Sequence, residues 1–207
     1  MKRAKLTENN FEVEHVVKTL IDNGYTERLP ENYNQELFLD TETLLKFIKS
    51  TQSEEWEKLH EQYPSNTEDI FLKRVTGEIS KRGTLDVLRN GVKDRGTKFE
   101  LAYFKPVSGL NPEHEKLYRQ NKFTVIRQLP FSQKYQKTLD ISIFLNGIPI
   151  ITSELKNHFT GQDYTDAVKQ YKFDRDPKEP FLRRCLVHFA VDNDKAYFTT
   201  QLGGEPT

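Results

Sequence analysis

The sequence has a single cysteine, and this scarcity excludes a disulfide framework within the chain. Cys185 lies in an apolar, strand-like run at residues 185–190, where we expect it to be a small buried hydrophobe. No apolar run approaches the roughly 20 residues of a membrane-spanning helix, and no signal-peptide pattern is present. We therefore expect a cytoplasmic protein with no membrane segment.

Two patterns of ligand-binding residues are also missing. The sequence contains no Gly-rich phosphate loop of the GxxxxGK[ST] kind, so we predict no ATP site. The five histidines show no ligand spacing, and none forms a zinc pattern with Cys185. These absences argue against an ATP-driven motor and a zinc-binding module.

Net charge is zero overall but is unevenly distributed. Residues 1–80 carry a net charge of −6, residues 81–137 carry +8 and residues 138–207 carry −2. The middle segment predicts a surface for a polyanion such as DNA, although an ordinary solvated loop is the alternative. Its candidate DNA-binding residues are interleaved with glycines: Arg82, Arg89, Lys93, Arg95 and Lys98.

The length of 207 residues allows a substantial core, and we predict one domain in two parts. Residues 1–80 are expected to be mainly helical, with an irregular connection at 26–40 and helices at 7–23, 41–49, 53–62 and 67–80. Residues 81–202 are expected to contain the sheet, with strands from Thr84 onwards and at 97–104. Residues 203–207 are linker-like.

The sequence pattern of residues 81–202 predicts an α/β order of elements. A short helix at 111–120 precedes a strand at 123–128 and a β-hairpin around Asn146-Gly147. A helix at 164–175 and a strand pair at 185–191 and 196–200 follow. Behind the N-terminal helix, the core order is strand, strand, strand, helix, strand.

Three ionisable residues lie in the otherwise apolar hairpin: Asp140, Glu154 and Lys156. Burying charges costs several kcal/mol each unless they are paired or hold a metal. A two-residue loop would place Asp140 opposite Ser153 and turn Glu154 to the other face of the sheet. We therefore expect a three-residue loop, or an equivalent bulge, that gathers the charges on one face. Such a set suits a hard divalent cation.

Asp140, followed after thirteen residues by Glu154-Leu155-Lys156, resembles the PD-(D/E)xK nuclease core, with Leu139 in place of the initial proline. The flanking residues resemble the N-terminal nuclease domain of the R subunit of type I restriction enzymes. They are Arg127-Gln128, the turn Asn146-Gly147-Ile148-Pro149, Asn157, Ala167, Gln170 and, more faintly, Phe11-Glu12, Leu20 and Gly24-Tyr25. The family's Gln-x-x-x-Tyr pattern is not kept, because Asp174 stands four residues after Gln170.

The resemblance implies a restriction-endonuclease-like αβββαβ core, with a mixed central sheet flanked by helices and an N-terminal helical elaboration. Asp140, Glu154 and the backbone carbonyl of Leu155 would bind Mg²⁺, with Mn²⁺ as a substitute. Lys156 would act on the attacking water or the transition state. Either Glu12 or Glu14 could complete the metal site, and Gln170 would bind the substrate backbone or a ligand carboxylate.

The function implied is Mg²⁺-dependent cleavage of double-stranded DNA as one domain of a longer R subunit. Motor domains outside this chain would translocate DNA using ATP, and methyltransferase and specificity subunits would be partners. The chain itself is then expected neither to bind nor to hydrolyse ATP. Three alternatives remain: a non-cutting nuclease-like module that binds DNA or proteins, a stand-alone repair or recombination nuclease, and a structural ion pair of Lys156 with one acid.

Overall fold

The computed structural model describes residues 12–107, 111–157 and 161–203, with side chains from His15 onwards. The chain divides into two compact units. The first unit comprises the chain up to Pro30 with residues 124–143 and 149–207, and the second comprises residues 31–123 with 144–148. In the described residues no helix is long and apolar enough to cross a membrane.

The central sheet has six strands in the order β1-β4-β5-β6-β7-β8. Strand β1 (Thr26–Arg28) runs parallel to β4 (Phe123–Pro130), and β6 (Ile148–Leu155) runs parallel to β7 (Val187–Val191). Strand β5 (Thr138–Leu145) lies between β4 and β6, and β8 (Ala196–Thr199) is antiparallel to β7. This mixed sheet and its helices confirm the predicted restriction-endonuclease-like α/β class.

The helices of the first unit are short. A π-helical stretch (Glu12–Val17) leads into α1 (Lys18–Asp22), which Gly24 closes in the left-handed conformation, as predicted. After β6, α7 (Tyr164–Lys169) begins at a capping box formed by Asp163 and Asp166 and continues as a second π-helical stretch (Gln170–Asp174). Helix α8 (Pro180–Arg184), which the sequence interpretation missed, precedes β7.

The second unit is mainly helical. Helix α2 (Thr41–Thr51) begins at Asp40, whose carboxylate accepts from Thr43 N at 3.1 Å, and α3 (Ser53–Gln62), α4 (Thr67–Arg82) and α5 (Thr84–Asn90) follow. A small ribbon of β2 (Val92–Asp94) and β3 (Thr97–Phe99) precedes α6 (Pro112–Tyr118), which Asn111 caps. In α4, apolar side chains at helical spacing, including Phe71, Val75 and Ile79, form the buried face of the helix.

Three sequence expectations are wrong. Residues 84–90 form helix α5 rather than a strand, since Val87 and Leu88 bury an apolar face between two glycines at positive φ. The expected strand at 97–104 stops at Phe99. The connection at 26–40 contains β1, which is fixed by pairing with a strand almost 100 positions away and therefore leaves no local signal.

Candidate active site

The predicted acidic residues meet in the first unit. Asp140 lies on β5, and its Oδ2 accepts a hydrogen bond from the backbone N–H of Leu155 at 2.7 Å. Glu154 is fully buried near the end of β6, where it interacts electrostatically with Asp140. Lys156 follows the strand and is also buried, at 8% exposure. The structure thus brings Asp140 and Glu154 together, as the sequence predicted.

The turn that joins their strands is shorter than the expected three-residue loop, and the alternative expectation, an equivalent bulge that brings the charges onto one face, stays a prediction. Strand β5 ends at Leu145 and β6 begins at Ile148, so only Asn146 and Gly147 lie between them. Their φ angles are 51° and 83°, and positive φ at both central residues is typical of a type I′ turn. Asn adopts the left-handed conformation more readily than most non-glycine residues, which permits the tighter loop.

Arg175 is the cation bound to Glu154, and the sequence interpretation missed it. Its Nε and Nη2 both lie 2.7 Å from Glu154 Oε1, and Nη2 also donates to the carbonyl of Thr138 at 2.9 Å. The guanidinium lies over the Phe131 ring, 5.3 Å from its centroid. Arg175 is 6% exposed, so this is a buried ion pair. A lone arginine after a helix gives no sequence signal for such a role.

The second oxygen of Glu154, Oε2, is buried and accepts no hydrogen bond among the described residues. Burial and, next, the negative charge of Asp140 raise the pKa of Glu154 to about 8, although Arg175 acts in the opposite direction. Burial and the neighbouring Asp140 charge thus oppose ionisation of Glu154, and the Arg175 guanidinium favours it.

The chemistry of Asp140 and Glu154 suits a hard divalent cation. Two adjacent carboxyl groups are present, one with an unused buried oxygen, and carboxylate oxygens are what Mg²⁺ prefers. The described residues contain no cluster of three or more His, Cys, Asp or Glu side chains suited to a metal. Further ligands would have to be backbone or water oxygens, such as the predicted Leu155 carbonyl, or Glu12 or Glu14, whose side chains lie outside the described part.

Gln128 contacts Asp140 directly. Its Nε2 donates to Asp140 Oδ1 at 3.1 Å, and its Oε1 accepts from the Thr138 hydroxyl at 2.9 Å. Its φ of 48° is unusual for a non-glycine residue within a strand and marks a local distortion of β4. Gln170 begins the second π-helical stretch and is half-buried, so its predicted substrate contact stays a prediction.

A neutral hydrogen-bonded network lies beside Glu154, and the sequence did not reveal it. The Thr152 hydroxyl lies 2.8 Å from Tyr171 Oη and 2.7 Å from His188 Nδ1. Burial lowers the pKa of His188 to about 4, and burial, followed by the charge of Glu154, raises the pKa of Tyr171. Both side chains are therefore neutral at pH 7 and support the strand face that carries Glu154.

The candidate DNA-binding residues all lie in the second unit. Arg82 is half-buried and is engaged by Glu78, Asp86 and the Gly91 carbonyl. Arg89 is exposed, and Arg95 lies over the Tyr63 ring, 4.6 Å from its centroid. Lys93 and Lys98 are exposed cross-strand neighbours, and Lys98 also pairs with Glu100 at 2.5 Å. A role in DNA binding stays a prediction for all five, but Arg82 is committed to bonds within the protein.

Comparisons with known proteins identify relatives of the chain. A family model described as the N terminus of the type I restriction enzyme R protein matches residues 5–207. The type I restriction enzyme endonuclease subunits of Staphylococcus aureus strains COL and MRSA252 are each 31% identical over 86 residues. The matched segment is 41% of this chain and only 9% of each relative.

Proposed function

The chain belongs to the family of type I restriction enzyme R protein N termini, and from this membership we propose that it is a restriction nuclease domain that cleaves double-stranded DNA with Mg²⁺. The observation that carries the proposal is the proximity of Asp140 to the buried Glu154, whose Oε2 has no donor among the described residues. Mn²⁺ would substitute for Mg²⁺.

Each residue has a distinct task in this proposal. Asp140 and Glu154 would hold the cation, together with the Leu155 carbonyl, and Gln128 would fix the Asp140 carboxylate through its 3.1 Å bond. When bound, Mg²⁺ would polarise the scissile phosphate and lower the pKa of water. Lys156 would orient the attacking water or stabilise the charge of the pentavalent transition state.

The wider setting follows from the family. We propose that the chain acts as one domain of a longer cytoplasmic R subunit that translocates DNA through ATP-using motor domains. Methyltransferase and specificity subunits would be its partners, and this domain would bind no ATP. DNA contact would be electrostatic, with Arg89, Lys93 and Arg95 as the exposed candidates.

The test is cleavage of supercoiled plasmid by the purified chain, with EDTA, Mg²⁺ or Mn²⁺, measured beside Mn²⁺ binding. We expect metal-dependent nicking that falls at least about 100-fold in both Asp140→Asn and Lys156→Ala. Mn²⁺ binding should be lost in Asp140→Asn but kept in Lys156→Ala, because only the first removes a ligand.

The alternatives make different forecasts. A wild-type chain that neither binds Mn²⁺ nor nicks DNA would support a non-cutting nuclease-like module, to which the replacement of the family tyrosine by Asp174 is suited. Nicking that survives in both variants would place the activity outside this site. A stand-alone repair nuclease would cleave without any type I subunits and would prefer damaged or branched DNA.

A further inference from the structure

We propose that Arg175 is a positioning residue that holds Glu154 by one carboxylate oxygen and leaves the other for a divalent cation. The inference rests on the proposed function, since it concerns the same carboxylates. It adds a residue that lies 19 positions beyond Lys156 and outside the PD-(D/E)xK pattern.

The two oxygens of the Glu154 carboxylate differ in their hydrogen-bond partners. Oε1 receives both Nε and Nη2 of Arg175, each at 2.7 Å. Oε2 receives no donor among the described residues although it is buried. Arginine–carboxylate pairs are frequently bidentate, with one N–H donor directed to each carboxylate oxygen. The observed one-sided pairing leaves a buried oxygen with unused lone pairs.

Arg175 is itself held in place, which a positioning residue requires. Its Nη2 also donates to the Thr138 carbonyl at 2.9 Å, and its guanidinium lies over the Phe131 ring. The Thr138 carbonyl lies on β5, the strand that carries Asp140. Arg175 thus ties the Glu154 carboxylate to the backbone of the strand that bears the other acid. A lysine could keep the charge but could not make these several directed bonds together.

Arg175→Lys tests the orienting role while keeping the positive charge. Mn²⁺ affinity, measured by the EPR signal of free Mn²⁺, should fall at least about tenfold, as losses of groups that orient metal ligands typically do. Arg184→Lys is the matched control, because Arg184 is equally buried at 6% exposure in the same unit. It should lose a similar amount of thermal stability without metal yet bind Mn²⁺ within about twofold of wild type.

Phe131→Leu provides a milder variant that also answers the case in which Arg175→Lys fails to fold. Removing the ring under the guanidinium should weaken Mn²⁺ binding two- to fivefold, in the same direction. If the Arg175→Lys variant folds and binds Mn²⁺ as tightly as wild type, the positioning role is wrong. If Arg175→Lys does not fold, wild-type Mn²⁺ affinity in Phe131→Leu has the same meaning. Absence of Mn²⁺ binding in the wild type would instead overturn the proposed function, so the two failures are distinguishable.

Discussion

Two buried polar centres on the same β-hairpin differ in how completely their hydrogen bonds are made. At the turn, the Asn146 side chain accepts from Lys122 N at 2.7 Å and donates to the Leu101 carbonyl and to Asn121 Oδ1, both at 2.9 Å. At the strand end, Glu154 uses one oxygen and leaves the other without a donor among the described residues. The turn centre is therefore well bonded within the protein, whereas the unbonded buried oxygen at the strand-end centre costs stability.

The largest effect is expected at the turn centre. Asn146→Ala would remove the partner of the Lys122 N–H and of the carbonyl of the buried Leu101, and would force alanine into a left-handed φ. We expect the free energy of unfolding in urea to fall by about 4 kcal/mol, with Mn²⁺ affinity of the folded fraction unchanged. Asn146→Gly should lose about 1 kcal/mol less, because glycine accepts the backbone conformation. A loss below about 1 kcal/mol in both would remove the contrast between the centres.

The neutral network beside Glu154 should add an acid-sensitive element to the strand-end centre. His188 has its pKa lowered to about 4, so as pH falls below 6.5 the unfolded chain takes up a proton before the folded protein does. Stability is therefore full above pH 6.5 and should fall by up to about 3 kcal/mol as pH drops to 4. In urea unfolding across this range, His188→Gln should show a flatter pH dependence than wild type. Identical slopes would exclude a buried neutral histidine.

Asp140→Asn should reveal the destabilisation built into the strand-end centre. Because the pKa of Glu154 is raised to about 8, the metal-free protein loses stability as pH rises from 4.5 through 8. Removing the adjacent charge should stabilise the metal-free protein at pH 8 by about 2 kcal/mol and abolish its stabilisation by Mg²⁺ or Mn²⁺. Thermal unfolding with and without metal measures both. A variant less stable than wild type at pH 8 would show that the two carboxyls do not repel.

The smallest effect is expected at a charge pair that water can reach. Arg127 Nε lies 2.7 Å from Glu27 Oε1, and both side chains are about one-third exposed. Arg127→Gln should change the free energy of unfolding by less than about 1 kcal/mol in urea, because solvent screens such pairs. A larger loss would mean that pairing strength, rather than burial, sets the importance of charges in this protein.

The sequence predicted the hairpin and its charges because their signals are local. Asn146-Gly147 specifies a turn, and ionisable residues in an apolar strand require a partner or a ligand. The partner of Glu154 could not be predicted, because Arg175 reaches it only after the chain has turned back through α7. Strand β1 escaped prediction for the same reason, since its pairing with β4 joins segments distant in sequence.

The π-helical stretch after Lys156 changes how this chain should be aligned with other sequences. In a π-helix the backbone hydrogen bonds join residues five apart, so a π-helical turn holds about one residue more than an α-helical turn. Arg175 follows the stretch Gln170–Asp174 directly, in an extended backbone conformation, five residues after Gln170, where four-residue α-helical counting would select Asp174. An alignment with one inserted residue in this turn would pair Arg175 with the family tyrosine and would treat the departure as a shift in register.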